Sequence, residues 1–140
     1  MNRPLSLRLA GLVFAACATL AFAQDKPAQF EPQPGQQGKD VIWLPTPQAV
    51  VDKMVEVANV GPSDFVMDLG SGDGRTVIAA ARRGATALGI EYNPDMVELS
   101  KRNAEKAGVS TKAQFKRADL FETDFSHATV VTMFLLPDIN

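Results

Sequence analysis

The stretch Val66–Arg75, Val-Met-Asp-Leu-Gly-Ser-Gly-Asp-Gly-Arg, constrains the fold of this chain more than any other. A short apolar run ends in Asp68, glycines stand at 70, 72 and 74, and an apolar helical pattern begins at Thr76. That order reads as strand, tight turn and helix. Glycine admits positive φ and lets a ligand approach the backbone with no Cβ in the way. Free N–H groups at the start of the following helix favour a negatively charged or polar group. Downstream, Gly89-Ile90-Glu91 reads as the end of a second strand with a second acid. An acid there is placed to accept hydrogen bonds from a ribose, as in nucleotide-binding βαβ units. A turn without a ligand needs one or two glycines, not three with flanking acids.

The rest of the domain follows the same alternation. Thr46 is expected to cap a helix from Pro47 to about Asn59, with Val50, Val51, Met54, Val55 and Ala58 on its apolar face. Gly61 is the expected stop. Trp43 reads first as a core anchor for that helix and second as a lid over a bound cofactor. Strands are expected at Phe65–Leu69, Thr86–Glu91, Ala113–Arg117 and Thr129–Leu135. Helices are expected at Arg75–Arg83 and from Pro94, capped by Asn93, to Gly108. This is an α/β chain with a doubly wound, Rossmann-like parallel sheet. In such sheets ligands sit beyond the carboxyl ends of the strands. Asp68, Glu91 and Asp119 each stand at or just past such an end, which places all three at one rim.

The first 23 residues read as a leader. Arg3 and Arg8 precede the apolar run Leu9–Leu20, and Ala21-Phe22-Ala23 is a cleavage signal before Gln24. A periplasmic or secreted protein is expected, with an uncleaved membrane anchor as the alternative. No stable membrane span is expected if the leader is removed. Residues 24–39, rich in Gln, Pro and Gly, read as a disordered linker, and the domain is expected over residues 40–140. A net charge of −2 argues against a broad nucleic-acid footprint. With one cysteine, Cys17, and one histidine, His127, no Cys-based or His-rich metal site is expected. His127 reads as a solvated loop residue.

The glycine spacing separates nucleotide classes. Gly70, Gly72 and Gly74 give G-x-G-x-G, not the dinucleotide fingerprint G-x-G-x-x-G, and no G-K-[ST] of a P-loop follows. The stretch resembles motif I of the class I S-adenosylmethionine (SAM)-dependent methyltransferases. Three segments, Trp43-Leu-Pro-Thr-Pro-Gln, Asp68-Leu-Gly-Ser-Gly-Asp-Gly-Arg and Phe134-Leu-Leu-Pro, resemble the small protein-lysine N-methyltransferases that modify ATP synthase and the adenine nucleotide translocase, and their bacterial relatives.

The resemblance implies SAM as cofactor. It places Gly70, Ser71 and Gly72 against the methionine part of SAM, with Asp73 and Gly74 completing the loop. Asp68 would bind the amino group, directly or through water. Glu91 would hold the ribose hydroxyls, with Asn93 nearby. Asp119 would accept from the adenine amine, with the Leu120 backbone beside the ring. The implied activity is methyl transfer to a nucleophile, with protein lysine as the first acceptor and a small molecule as the alternative. A non-catalytic nucleotide-binding module is the third reading. Phe-Leu-Leu-Pro departs from the Asn/Asp-Pro-Pro-Tyr of amino-methylases acting on amide or nucleobase nitrogens, so no nucleic-acid partner is expected. No residue stands out as a general base. The implied sheet has seven strands in the order 3-2-1-4-5-7-6, of which this chain supplies four. A fragment truncated after the fourth strand, inactive by itself, is the expectation.

Overall fold

A computed structural model describes residues 29–135. The leader and Leu136-Pro137, expected to end the fourth strand, lie outside the described residues. The order is α1 (Gln48–Val57), β1 (Phe65–Leu69), α2 (Arg75–Arg82), β2 (Thr86–Glu91), α3 (Pro94–Lys106), β3 (Ala113–Arg117), a 3₁₀ turn (Leu120–Glu122) and β4 (Val130–Met133). The strands form one parallel sheet in the order β3-β2-β1-β4. That matches the first four strands of the implied order. The direction of winding reverses between β1 and β4, the switch point where open α/β sheets bind ligands.

Two apolar clusters flank the sheet. Val51 and Val55 of α1, Val77–Ala81 of α2 and Ala104 of α3 share one cluster with Val66, Ala87 and Ala113 of the strands. Small alanines on α2 let it sit close on β1 and β2. Met67, Leu69 and Ile90 form the smaller cluster on the opposite face. Residues of the central strands β1 and β2 thus face apolar neighbours on both sides, as buried parallel strands do, whereas β3 exposes Gln114, Lys116 and Arg117.

Several boundaries differ from expectation for local reasons. Pro47, with ψ 138°, is extended and stands as the α1 cap, and no side chain caps this helix. Thr46 is buried instead, and its carbonyl accepts from Arg75 Nη1 at 2.6 Å. Asn59, with φ 49°, takes the left-handed position that ends α1, ahead of Gly61. The Val60 N–H then returns to the Val55 carbonyl at 3.1 Å. Val50 is exposed and lies off the buried face. β4 is shorter than expected because among the described residues it pairs only with β1, and β1 stops at Leu69, opposite Met133.

Within the segment expected to be linker, residues 33–39 make backbone hydrogen bonds with one another and with residues 41–43. Gly35 N donates to Trp43 O and Trp43 N to Gln36 O, each at 2.8 Å, and Gln37 bridges Ile42 in antiparallel fashion. Backbone hydrogen bonds compensate for the scarcity of apolar side chains in this segment.

Candidate cofactor site at the strand ends

The glycine loop turns sharply between β1 and α2. Gly70, Gly72 and Gly74 have φ of 84°, 54° and 83°. Gly70 N and Ser71 N both donate to Ile90 O at 2.9 Å, which fixes the loop to the end of β2. A Cβ on Gly74 would lie 2.7 Å from the Phe115 ring and 2.9 Å from Ser100 Cβ. Helix α3 holds the loop from behind. Buried Ser100 Oγ donates to Gly72 O at 2.8 Å, and Asn103 Nδ2 to Asp73 O at 2.9 Å. Neither support was foreseen from sequence. The only local signal was two polar residues one helical turn apart on an otherwise amphipathic helix.

The carboxylates hold distinct stations. Glu91 Oε2 accepts from Gly72 N at 3.0 Å and Oε1 from Asn93 N at 2.9 Å. A carboxylate has about four lone-pair sites, so Glu91 keeps capacity for two hydroxyl donors. Asp68 is buried in β1 and accepts from Thr132 Oγ1 of β4 at 2.7 Å. Burial pushes its pKa up from 3.8 to about 6, against the Thr132 hydrogen bond that pulls it down. Asp119 caps the 3₁₀ turn through Phe121 N at 3.0 Å and pairs with Lys39 Nζ at 2.6 Å. Those two donors, Lys39 the stronger, hold its carboxyl below the usual range.

These residues line two adjoining clefts. One, of about 110 Å³, takes in Gly70, Glu91, Tyr92, Asp119 and Leu120. The other, of about 30 Å³, takes in Asp68, Ser71, Gly72 and Asp73. Trp43, Gly70 and Phe134 border both. The structure therefore brings the expected acids, Gly70, Ser71, Gly72 and Leu120 to one rim, whereas Gly74 lines neither cleft and faces Phe115 and Ser100.

Other residues have roles the sequence did not assign. Asp73 lines the smaller cleft, yet its carboxylate takes a two-pronged pair from Arg75, with Nε at 2.9 Å and Nη2 at 2.6 Å. Asn93 spends its side-chain oxygen on the α3 cap, accepting from Asp95 N at 2.9 Å, and does not line either cleft. Trp43 is half-buried and lies over the loop, with Nε1 2.9 Å from where a Gly72 Cβ would stand. This favours the lid over the core anchor that the sequence put first. Ser71 Oγ is buried with no hydrogen-bond partner among the described residues. His127 is exposed in the loop before β4.

A family model of the ANTKMT methyltransferase domain matches residues 68–140, just over half of the chain. The chain belongs to the ANTKMT methyltransferase domain family. A protein-lysine N-methyltransferase of Saccharolobus islandicus is 45% identical over 102 residues, covering 71% of this chain and 63% of the relative. A human lysine N-methyltransferase of ATP synthase is 37% identical over 97 residues, covering 69% of this chain and 41% of the relative. An RNA methyltransferase from Salinibacter ruber, solved in complex with S-adenosyl-L-homocysteine, is 52% identical with a TM-score of 0.66. That match covers 69% of this chain and 63% of the other. The chain thus spans less than two thirds of the length of these relatives.

Proposed function

We propose that this chain forms the SAM-binding part of a methyltransferase whose acceptor is a protein lysine. One observation carries the reading: acids at the ends of β1, β2 and β3 converge on one rim beneath a glycine loop of positive φ. The donor set of SAM fits that rim. Asp68 would hold its ammonium, Glu91 its ribose hydroxyls and Asp119 its adenine amine, with the Leu120 backbone alongside. The unpartnered Ser71 hydroxyl adds a polar group on the methionine side. When bound, SAM supplies a methyl group already activated on a sulfonium.

The chain's own residues bind, orient and exclude water. Ser100 and Asn103 keep the loop shaped so that the ligand contacts backbone. Trp43 covers the loop and removes solvent beside it, which favours the neutral, nucleophilic form of an acceptor amine. Positioning and desolvation carry most of such a transfer, so no general base is assigned.

The lysine acceptor rests on the named activities of the Saccharolobus and human relatives. RNA is the second reading, favoured by the name of the Salinibacter protein at 52% identity. A net charge of −2 weighs against it. The test is to incubate full-length protein with methyl-labelled SAM and separate fractions of protein, RNA and small molecules. Label released as methyl-lysine on acid hydrolysis is the expected result. Label sensitive to ribonuclease selects RNA, and label confined to small molecules rejects both macromolecular acceptors.

A further inference from the structure

Residues 33–43 fold back on themselves as one unit. Their hydrogen bonds run from Gly35 N to Trp43 O, Trp43 N to Gln36 O and Gly38 N to Val41 O, all 2.8–2.9 Å. This hairpin lies across the larger cleft and forms one wall of it through Gly38–Val41 and Trp43. The facing wall is the ends of β2 and β3 with Gly70, and Phe134 and Leu135 beyond β4 complete the lining. The tip is tied down by Lys39. Its Nζ lies 2.6 Å from Asp119 Oδ2, 3.4 Å from Asp40 Oδ2 and 5.0 Å from the centre of the Tyr92 ring.

The cleft so enclosed measures about 110 Å³. Ordinary small-molecule sites measure roughly 300–1,000 Å³. Seating a nucleoside in so small a cleft calls for outward movement of one wall. The strand-end wall is fixed by the parallel ladders of β1, β2 and β3. The hairpin has no ladder to the sheet among the described residues; Trp43 rests on the glycine loop, and the ion pair that ties the hairpin tip to the facing wall is the Lys39–Asp119 contact.

We propose that Lys39 is a latch: its ion pair with Asp119 holds the hairpin over the cleft, and the nucleoside binds by displacing Lys39 from that carboxylate. The latch rests on the reading of this cleft as the SAM site. Lys39 and Asp119 side chains are 34% and 20% exposed, so dissolved salt screens their attraction. Displacement is therefore easier at high ionic strength. Exposed ion pairs of this kind correspond to about a two- to fivefold change in an equilibrium.

The experiment is calorimetric titration of full-length protein with S-adenosyl-L-homocysteine, which carries no net charge near neutral pH, at low and high sodium chloride. Wild-type affinity is expected to tighten about two- to fivefold as salt rises. Lys39→Gln is expected to bind at the tighter level at both salts, with a melting temperature lowered by no more than a few degrees. Lys39→Arg is expected to restore the wild-type salt dependence. Weaker binding by Lys39→Gln would make Lys39 a ligand contact and overturn the latch. Equal affinity of Lys39→Gln and wild type at every salt also overturns it. Failure of the wild type to bind at all overturns the cofactor reading instead, so the two failures are distinguishable.

Discussion

The two ends of the rim hold their acids in opposite environments. At the glycine-loop end, Asp68 is 5% exposed, bonded to Thr132, and pushed up to about pKa 6 by burial. At the far end, Asp119 is part-exposed and held below the usual carboxylate range by Lys39 and the Phe121 N–H. The contrast teaches that one acidic rim can respond to two different variables. A buried acid is governed by protons, because desolvation disfavours its charged form. An exposed, paired acid is governed by salt. Packing differs in the same direction. The loop near Asp68 is pinned by Phe115, Ser100 and Asn103 from other elements, whereas in the hairpin near Asp119 Gly35 has open space and Gly38 meets only the hairpin's own Val41 carbonyl.

The largest test of this contrast compares glycines. Gly74 and Gly35 both have positive φ, but only Gly74 has atoms where a Cβ would go. Left-handed backbone costs a non-glycine residue about 1–2 kcal/mol. Overpacking adds about 1–3 kcal/mol. Gly74→Ala is therefore expected to lose roughly 2–5 kcal/mol of stability in urea denaturation, against about 1–2 kcal/mol for Gly35→Ala. Equal losses would erase the packing contrast between the two ends.

The pH response comes next in size. The folded protein binds the Asp68 proton more tightly than the unfolded chain does, since the pKa rises from 3.8 to about 6. The resulting stabilisation is full below about pH 4 and is lost as pH rises through about 6, some 3 kcal/mol in all. Asp119 has the opposite sign: its lowered pKa stabilises at higher pH, and that contribution fades on acidification. Comparing wild type with Asp68→Asn across pH 4–7.5 isolates the first effect. The same ionisation predicts that S-adenosyl-L-homocysteine binds more tightly as pH rises through about 6, because an ammonium prefers the carboxylate. A stability difference and an affinity that are both flat across that range would remove Asp68 from the ammonium site.

Glu91 lies between the two ends, and its replacement sharpens the comparison. Its carboxylate holds Gly72 N and Asn93 N and is assigned to the ribose. Loss of a charged hydrogen-bond partner costs about 1.5–3 kcal/mol. Glu91→Ala is expected to weaken cofactor binding by about tenfold or more in calorimetry, at every salt and pH. Unchanged affinity would refute the ribose assignment.

Much of this was legible in the sequence. The limits of β1 and β2 follow from apolar runs between glycine and proline punctuation, and β3 from the short stretch around Phe115. The cap of α3 follows from Asn93-Pro94, because an amide oxygen and a fixed φ are local properties. The rim acids follow from topology, since parallel strands joined by right-handed crossovers must end on one side. These features depend on residues close in sequence or on a rule of chain direction.

What only the tertiary structure decided involves partners far apart in the chain. Thr132 reaches Asp68 across 64 positions, because β4 pairs with β1 and sets those two residues opposite each other. Ser100 reaches Gly72 across 28, and Lys39 reaches Asp119 across 80. Trp43 covers the loop rather than anchoring α1, because a backbone hairpin formed in a segment whose composition promised none. Composition measures the apolar surface available for burial. It does not register hydrogen bonds that a short turn makes with itself, or a charge that finds its partner only after the sheet is built.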